Sequence, residues 1–138
     1  MITKQSTPYA PLLIESMRSL GYSFDTAIAD LIYNSVSAEA KNVKILLDPS
    51  DNPQLIIFDD GYGMDSATLE EALRFGSRGP KEERAQHDLG RFGLGLKSAS
   101  LSQCRKLIVA SKRDNKVCCF SWDLDEVERT NDWSIIEY

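Results

Sequence analysis

At 138 residues the chain is long enough for one domain with a buried core and short of the two-domain range. Hydrophobic residues make up 42% and charged residues 27%, without linker-like or repetitive stretches, so the composition excludes a disordered chain. The formal net charge of −5 argues against a domain that grips nucleic acid through a broad basic face, and no apolar run approaches the length of about 20 residues that spans a bilayer. In chain order, Leu12, Leu13, Met17 and Leu20 give helical spacing between Pro8 and Leu20, with Gly21 placed to end the helix. A second helix is predicted from about Asp25 to Ala40. It is capped by Ser23 or Asp25 and has Ala27, Ile28, Leu31, Ile32, Ser35 and Val36 on or near its buried face.

The pattern then turns to strands. Val43 to Leu47 and Gln54 to Phe58 are β-rich runs separated by Asp48-Pro49-Ser50-Asp51-Asn52-Pro53, which predicts an antiparallel pair. After Asp59-Asp60-Gly61-Tyr62-Gly63-Met64, Asp65 or Ser66 opens a short helix through about Arg74. Phe75 to Leu89 is a long polar loop without periodicity. A helix from Leu94 to Ser102 follows, then strands Lys106 to Ser111 and Lys116 to Trp122 joined by the turn Lys112 to Asn115. Asp123 to Asp132 is too polar to assign, and a last strand is expected from Trp133. The expected class is α+β, with helices on one face of a mostly antiparallel, mixed sheet. The strand-like end at Tyr138 reads as the N-terminal fragment of a longer protein that forms a single domain over residues 1–138. Cys104, Cys118 and Cys119 form no C-x-x-C pattern, which suits free thiols in a reducing, cytoplasmic setting.

Three segments carry chemistry. Asp30 and Asn34 lie four apart, one turn from each other on a helix: an amide oxygen suited to Mg2+ and a carboxylate able to take a proton from water, or simply a solvated helix edge. In Asp59-x-Gly61-x-Gly63 a carboxylate at a strand end meets backbone stripped of side chains. There Asp59 could accept from an exocyclic amine and Met64 could pack on a ring, or the run could be a plain Asp-Gly turn. In Gly90-Arg91-Phe92-Gly93-Leu94-Gly95-Leu96-Lys97-Ser98, the glycines permit amides to gather around an anion at a helix start. Lys97 would then sit on phosphates or point outward, or the run is a tight connection.

In this order and spacing the three segments resemble the ATP-binding domain shared by DNA gyrase B, Hsp90, histidine kinases and MutL (the GHKL group). The closest likeness is to the branch holding MORC-type and similar bacterial ATPases, and it covers about residues 10 to 122. The resemblance implies a two-layer α/β sandwich of the Bergerat type, with ATP held between helices and a lid formed by Phe75 to Leu89. It implies Asn34 on Mg2+, Asp59 with Gly61, Gly63 and Met64 on adenine, and Gly90, Gly93, Gly95, Leu96 and Lys97 around the phosphates. Ser111 stands at a strand end near the adenine site. Asp30 takes the position of the family's general base, where Glu is usual, and Tyr33 stands where many relatives have Asp. Slow ATP hydrolysis coupled to lid closure and dimerisation is expected, or an ATP-binding switch without hydrolysis, with ATP and ADP as ligands.

Competing patterns fail on the residues. Leu96 stands between Gly95 and Lys97, and no hydrophobic strand precedes the loop, which excludes a P-loop. His87 is the only histidine and lies in the long loop, an unsuitable place for a phospho-acceptor. A DNA-binding module is opposed by the acidic balance.

Overall fold

The computed structural model describes residues 2–4, 6–19, 22–76 and 95–138. Its elements in chain order are α1 (Ala10–Arg18), α2 (Phe24–Ser37), β1 (Val43–Asp48), β2 (Gln54–Asp59), α3 (Ser66–Leu73), α4 (Gly95–Gln103), β3 (Lys106–Arg113), β4 (Lys116–Asp123), α5 (Leu124–Thr130) and β5 (Ile136–Glu137). This is the α+β class read from the sequence. Every strand pair among the described residues is antiparallel, in two sheets ordered β1-β2 and β3-β4-β5.

Local chemistry sets the boundaries. Ser23 caps α2 by accepting from the Thr26 amide, and Asp65 caps α3 by accepting from the Thr68 amide at 2.8 Å. The β3–β4 hairpin closes through Asp114 and Asn115, at φ 50° and 61°, the two left-handed residues of a type I′ turn whose twist matches the strands. In β1–β2, Leu46, Ile56 and Phe58 share one face and Ile45, Leu47 and Ile57 the other, so the pair is apolar on both sides.

Three details depart from the sequence reading. Helix α1 buries Ala10 and Ile14, one turn apart, and leaves Leu12 and Leu13 exposed. The stripe that faces inward continues to Arg18, whose Nε donates to the Leu101 carbonyl of α4 at 2.7 Å. The unassigned polar stretch folds as α5, because Leu124 and Val127 are buried while Asp123 caps one end and left-handed Asn131 closes the other. The final strand is only Ile136–Glu137. Trp133 instead packs its ring 5.7 Å from that of Phe75, which also meets Trp122 edge-on at 5.2 Å.

The core gathers Ile14, Leu69, Leu73, Leu101, Phe120, Trp122, Leu124 and Val127 from α1, α3, α4, β4 and α5. Into it runs a fully buried lysine. Lys97 Nζ donates to the carbonyls of Ala72 at 2.7 Å and Arg74 at 2.8 Å, and the Trp122 indole donates to the carbonyl between them, Leu73, at 2.9 Å. The last turn of α3, whose carbonyls have no donors within the helix, is thereby satisfied by two side chains. The ring of Phe75 lies 5.8 Å from the ammonium. The expectation that Lys97 would sit on phosphates or point outward is not what the fold does: here it locks α4 to α3.

Burial pulls the Lys97 ammonium down to about 8 from its ordinary 10.5, against an opposing pull from the Glu71 carboxylate. Between those two values the unfolded chain holds the proton that the folded chain releases, so this group raises stability as pH rises across that window. Replacing Lys97 by Met leaves two carbonyls without their donor and is expected to cost roughly 1–3 kcal/mol at neutral pH. In urea denaturation, the stability gap between wild type and Lys97→Met is expected to widen from pH 8 to pH 10; a gap that narrows contradicts the assignment.

Candidate functional site

Helix α2 is the centre of the site. Its N-terminal half carries Asp30, half-buried, and one turn later Asn34, exposed, with Ser35 buried beside it. A buried hydroxyl needs a partner, and Ser35 Oγ donates to Asp59 Oδ2 at 3.0 Å. The other oxygen of that carboxylate accepts from the Gly61 amide at 2.9 Å. Asp59 ends β2 and is thus fixed from both sides, yet an ionised carboxylate accepts at about four lone-pair sites and retains room for a further donor.

The run after Asp59 is pressed against two other parts of the chain. The Tyr62 amide donates to the Ala38 carbonyl at the C-terminus of α2 at 3.0 Å, and the Met64 amide donates to Ser111 Oγ on β3 at 2.7 Å. A Cβ on Gly61 would come 2.7 Å from the Ala38 oxygen, and one on Gly63 would come 2.1 Å from the Lys112 oxygen. Gly63 also stands at φ 68°, the left-handed region. Both glycines are therefore required by the chain's own close packing. Met64 packs against the core, and its carbonyl accepts from the Cys118 thiol at 3.6 Å. Asp60, exposed, takes the Lys41 and Asn42 amides at 2.7 and 2.8 Å and the Asn42 side chain at 2.7 Å. These donors hold its carboxyl down at about 2 and tie the turn before β1 to the end of β2.

The third segment joins the same helix. Helix α4 begins at Gly95 and packs along α2. A Cβ on Gly95 would meet no described residue within 4 Å, while Leu96 leans on the core. Gly90, Gly93 and the lid residues after Gly76 lie outside the described residues. Among the described residues no cluster of three His, Cys, Asp or Glu is placed to hold a metal. The fold thus ties Asp59 to Ser35 on the helix that carries Asp30 and Asn34, packs α4 along that helix, sets Ser111 against the loop at Met64, and places Lys97 in the core.

Sequence reasoning overlooked two partners. Ser35 was readable as a polar residue on a buried face in want of an acceptor. Tyr22, whose phenol donates to Asp30 Oδ2 at 2.6 Å, lies before the helix, where no helical spacing connects it to Asp30.

Comparison with known proteins gives the family. A family model described as histidine kinase-, DNA gyrase B- and HSP90-like ATPase matches residues 22–138, and the chain belongs to that family. It is 33% identical over 90 residues to ATPase morc-1 of Caenorhabditis elegans, covering 64% of this chain and 10% of that protein. It is 28% identical over 97 residues to ATPase MORC2 of Homo sapiens (67% and 9%), and 32% identical over 93 residues to Protein MICRORCHIDIA 6 of Arabidopsis thaliana (62% and 13%). The chain therefore spans only about a tenth of the length of these relatives. No helix among the described residues is long and apolar enough to cross a membrane.

Gly63→Ala places a methyl group against the Lys112 carbonyl in a left-handed conformation, and is expected to destabilise the domain by about 2 kcal/mol or more in chemical denaturation. Gly95→Ala, with no described residue within 4 Å of the added methyl group, is expected to change stability by less than about 0.5 kcal/mol. Equal effects at both positions would contradict the packing described.

Proposed function

We propose that this domain binds ATP with Mg2+ on α2 and hydrolyses it slowly, coupled to lid closure over residues 75–89 and to dimerisation of the protein that carries it. The observation that carries the reading is the Ser35–Asp59 hydrogen bond, which joins the helix bearing Asp30 and Asn34 to the strand-end carboxylate. In this reading Asp59 accepts from the adenine amine. The backbone from Gly61 to Gly63 forms the floor beside the base, with Met64 and Ser111 behind it. Gly90, Gly93 and Gly95, with Leu96, form the amide cradle that opens α4 and receives the phosphates through its dipole.

The donor set fits Mg2+ held chiefly by nucleotide. Asn34 offers one amide oxygen, its side chain makes no hydrogen bond to another described residue, and its neighbour is Tyr33 in place of a carboxylate. One protein oxygen, with phosphate oxygens and water completing an octahedron, is a common way for a protein to hold this ion, which when bound neutralises charge on the phosphates. Asp30 takes a proton from the attacking water. As an Asp, it reaches one methylene less far than Glu, which favours slow turnover. A cytoplasmic location and the absence of direct nucleic-acid contacts by this domain belong to the same proposal, supported by the free thiols and the net charge of −5.

Melting of the purified domain is expected to rise by several degrees with millimolar ATP or ADP and Mg2+, and not with GTP, which presents a carbonyl where adenine presents an amine. Asp59→Asn is expected to abolish the rise. Phosphate release is expected to be slow in wild type and lost in Asp30→Ala at unchanged nucleotide affinity. Equal, near-zero release in both points to a switch without hydrolysis, and a melting point indifferent to ATP rejects nucleotide binding.

A further inference from the structure

We propose that Tyr22 is a positioning residue for Asp30: it holds one carboxylate oxygen so that the other is presented to the water that attacks ATP. The inference rests on the reading of Asp30 as the water-activating group. The phenol donates to Asp30 Oδ2 at 2.6 Å, within the short range of hydrogen bonds to an ionised acceptor. Oδ1 accepts from no other described residue, so the carboxylate is held by one oxygen and open at the other. Tyr22 is half-buried, and its hydrogen bond to Asp30, then burial, then the neighbouring charge raise its phenol above the ordinary range. It therefore remains a proton donor throughout neutral pH.

Tyr22 is itself anchored from two helices. Its carbonyl accepts from Gln103 Nε2 at 2.9 Å at the end of α4, and the next residue, Ser23, caps α2. The phenol thus comes from a residue pinned to α4 through its carbonyl and adjoining the cap of α2. This matters because the carboxylate is an Asp. A general base must come within hydrogen-bond reach of the proton it takes, and a misplacement of about 1 Å costs on the order of 100-fold in rate. A carboxylate one methylene short of Glu tolerates less wandering about χ1 and χ2, and the Tyr22 bond removes that freedom. In the step, water gives a proton to Asp30 Oδ1 and its oxygen bonds to the terminal phosphorus. The bond from phosphorus to the bridging oxygen breaks, ADP departs with that electron pair, and the proton passes from Asp30 to solvent.

The test compares wild type, Tyr22→Phe, Asp30→Asn and the double variant for ATP affinity by calorimetry and for phosphate release at saturating ATP. Tyr22→Phe keeps the ring and is expected to lower kcat tenfold or more while ATP affinity stays within twofold. In the Asp30→Asn background the same change is expected to alter release by less than twofold, because there is no carboxylate left to hold. Gln103→Ala frees the Tyr22 carbonyl without touching either side chain and is expected to show the same background dependence with a smaller loss; it decides the matter if Tyr22→Phe melts early. Wild-type kcat in Tyr22→Phe, or an equal loss in both backgrounds, overturns the role of Tyr22 alone. A wild type that binds ATP and releases no phosphate overturns the base assignment and this proposal with it.

Discussion

One side-chain hydrogen bond, from Ser35 Oγ to Asp59 Oδ2, ties the strand-end carboxylate directly to α2. Without it the strand-end carboxylate would be fixed only through its own loop, by the Gly61 amide, and nothing polar would connect it to α2. With it, the helix that carries Asp30 and Asn34 and the strand that carries Asp59 act as one unit. The bond is made to a charged acceptor at a buried donor, so its loss leaves a hydroxyl-sized gap and a less constrained carboxylate. The loop to Met64 is then clamped at two further points, on the Ala38 carbonyl and on the Ser111 hydroxyl, which draws β3 into the same neighbourhood.

The helices around α2 are secured by polar anchors as much as by apolar contact. Lys97 and Trp122 close the C-terminal carbonyls of α3, Arg18 closes a carbonyl of α4, and Gln103 reaches back to the Tyr22 carbonyl before α2. Arg105 joins Glu15 of α1 to Asp125 and Glu128 of α5 in an exposed network, where screening by water leaves each pair a small contribution. The result is that α1 to α5 are held to one another by polar anchors as well as by the core. Among the described residues, no buried side-chain polar atom lacks a partner, in keeping with that order.

Much of this was legible in the residues because their chemistry is local. The caps Ser23 and Asp65, the Asp114-Asn115 turn and the two hairpins announce themselves within four or five positions. The family was legible from the order and spacing of the motif segments, and the family match over residues 22–138 agrees with that resemblance. What stayed hidden depends on distant partners. Lys97 follows a glycine run and looks like an anion ligand, but its destination is set by α3 carbonyls more than twenty positions earlier. Helix α5 has only Leu124 and Val127 to bury, too few for a periodic signal, and forms because the core is there to receive them. Gly61 and Gly63 read as positions kept bare for a ligand, and their close approach to Ala38 and Lys112 is a requirement that no neighbour in sequence announces. Tyr22 and Asp30 meet across the start of α2, eight positions apart, where no helical spacing links them.

The most direct measurement is calorimetric titration of ATP into Ser35→Ala, a change that removes one hydroxyl from a buried site and replaces no residue assigned to the nucleotide. If the Ser35–Asp59 bond holds the adenine-reading carboxylate in place, ATP affinity falls about tenfold or more, the range expected when a hydrogen bond to a charged group worth about 1.5–3 kcal/mol is lost. Affinity equal to wild type in a Ser35→Ala domain that melts normally would contradict the account at its centre.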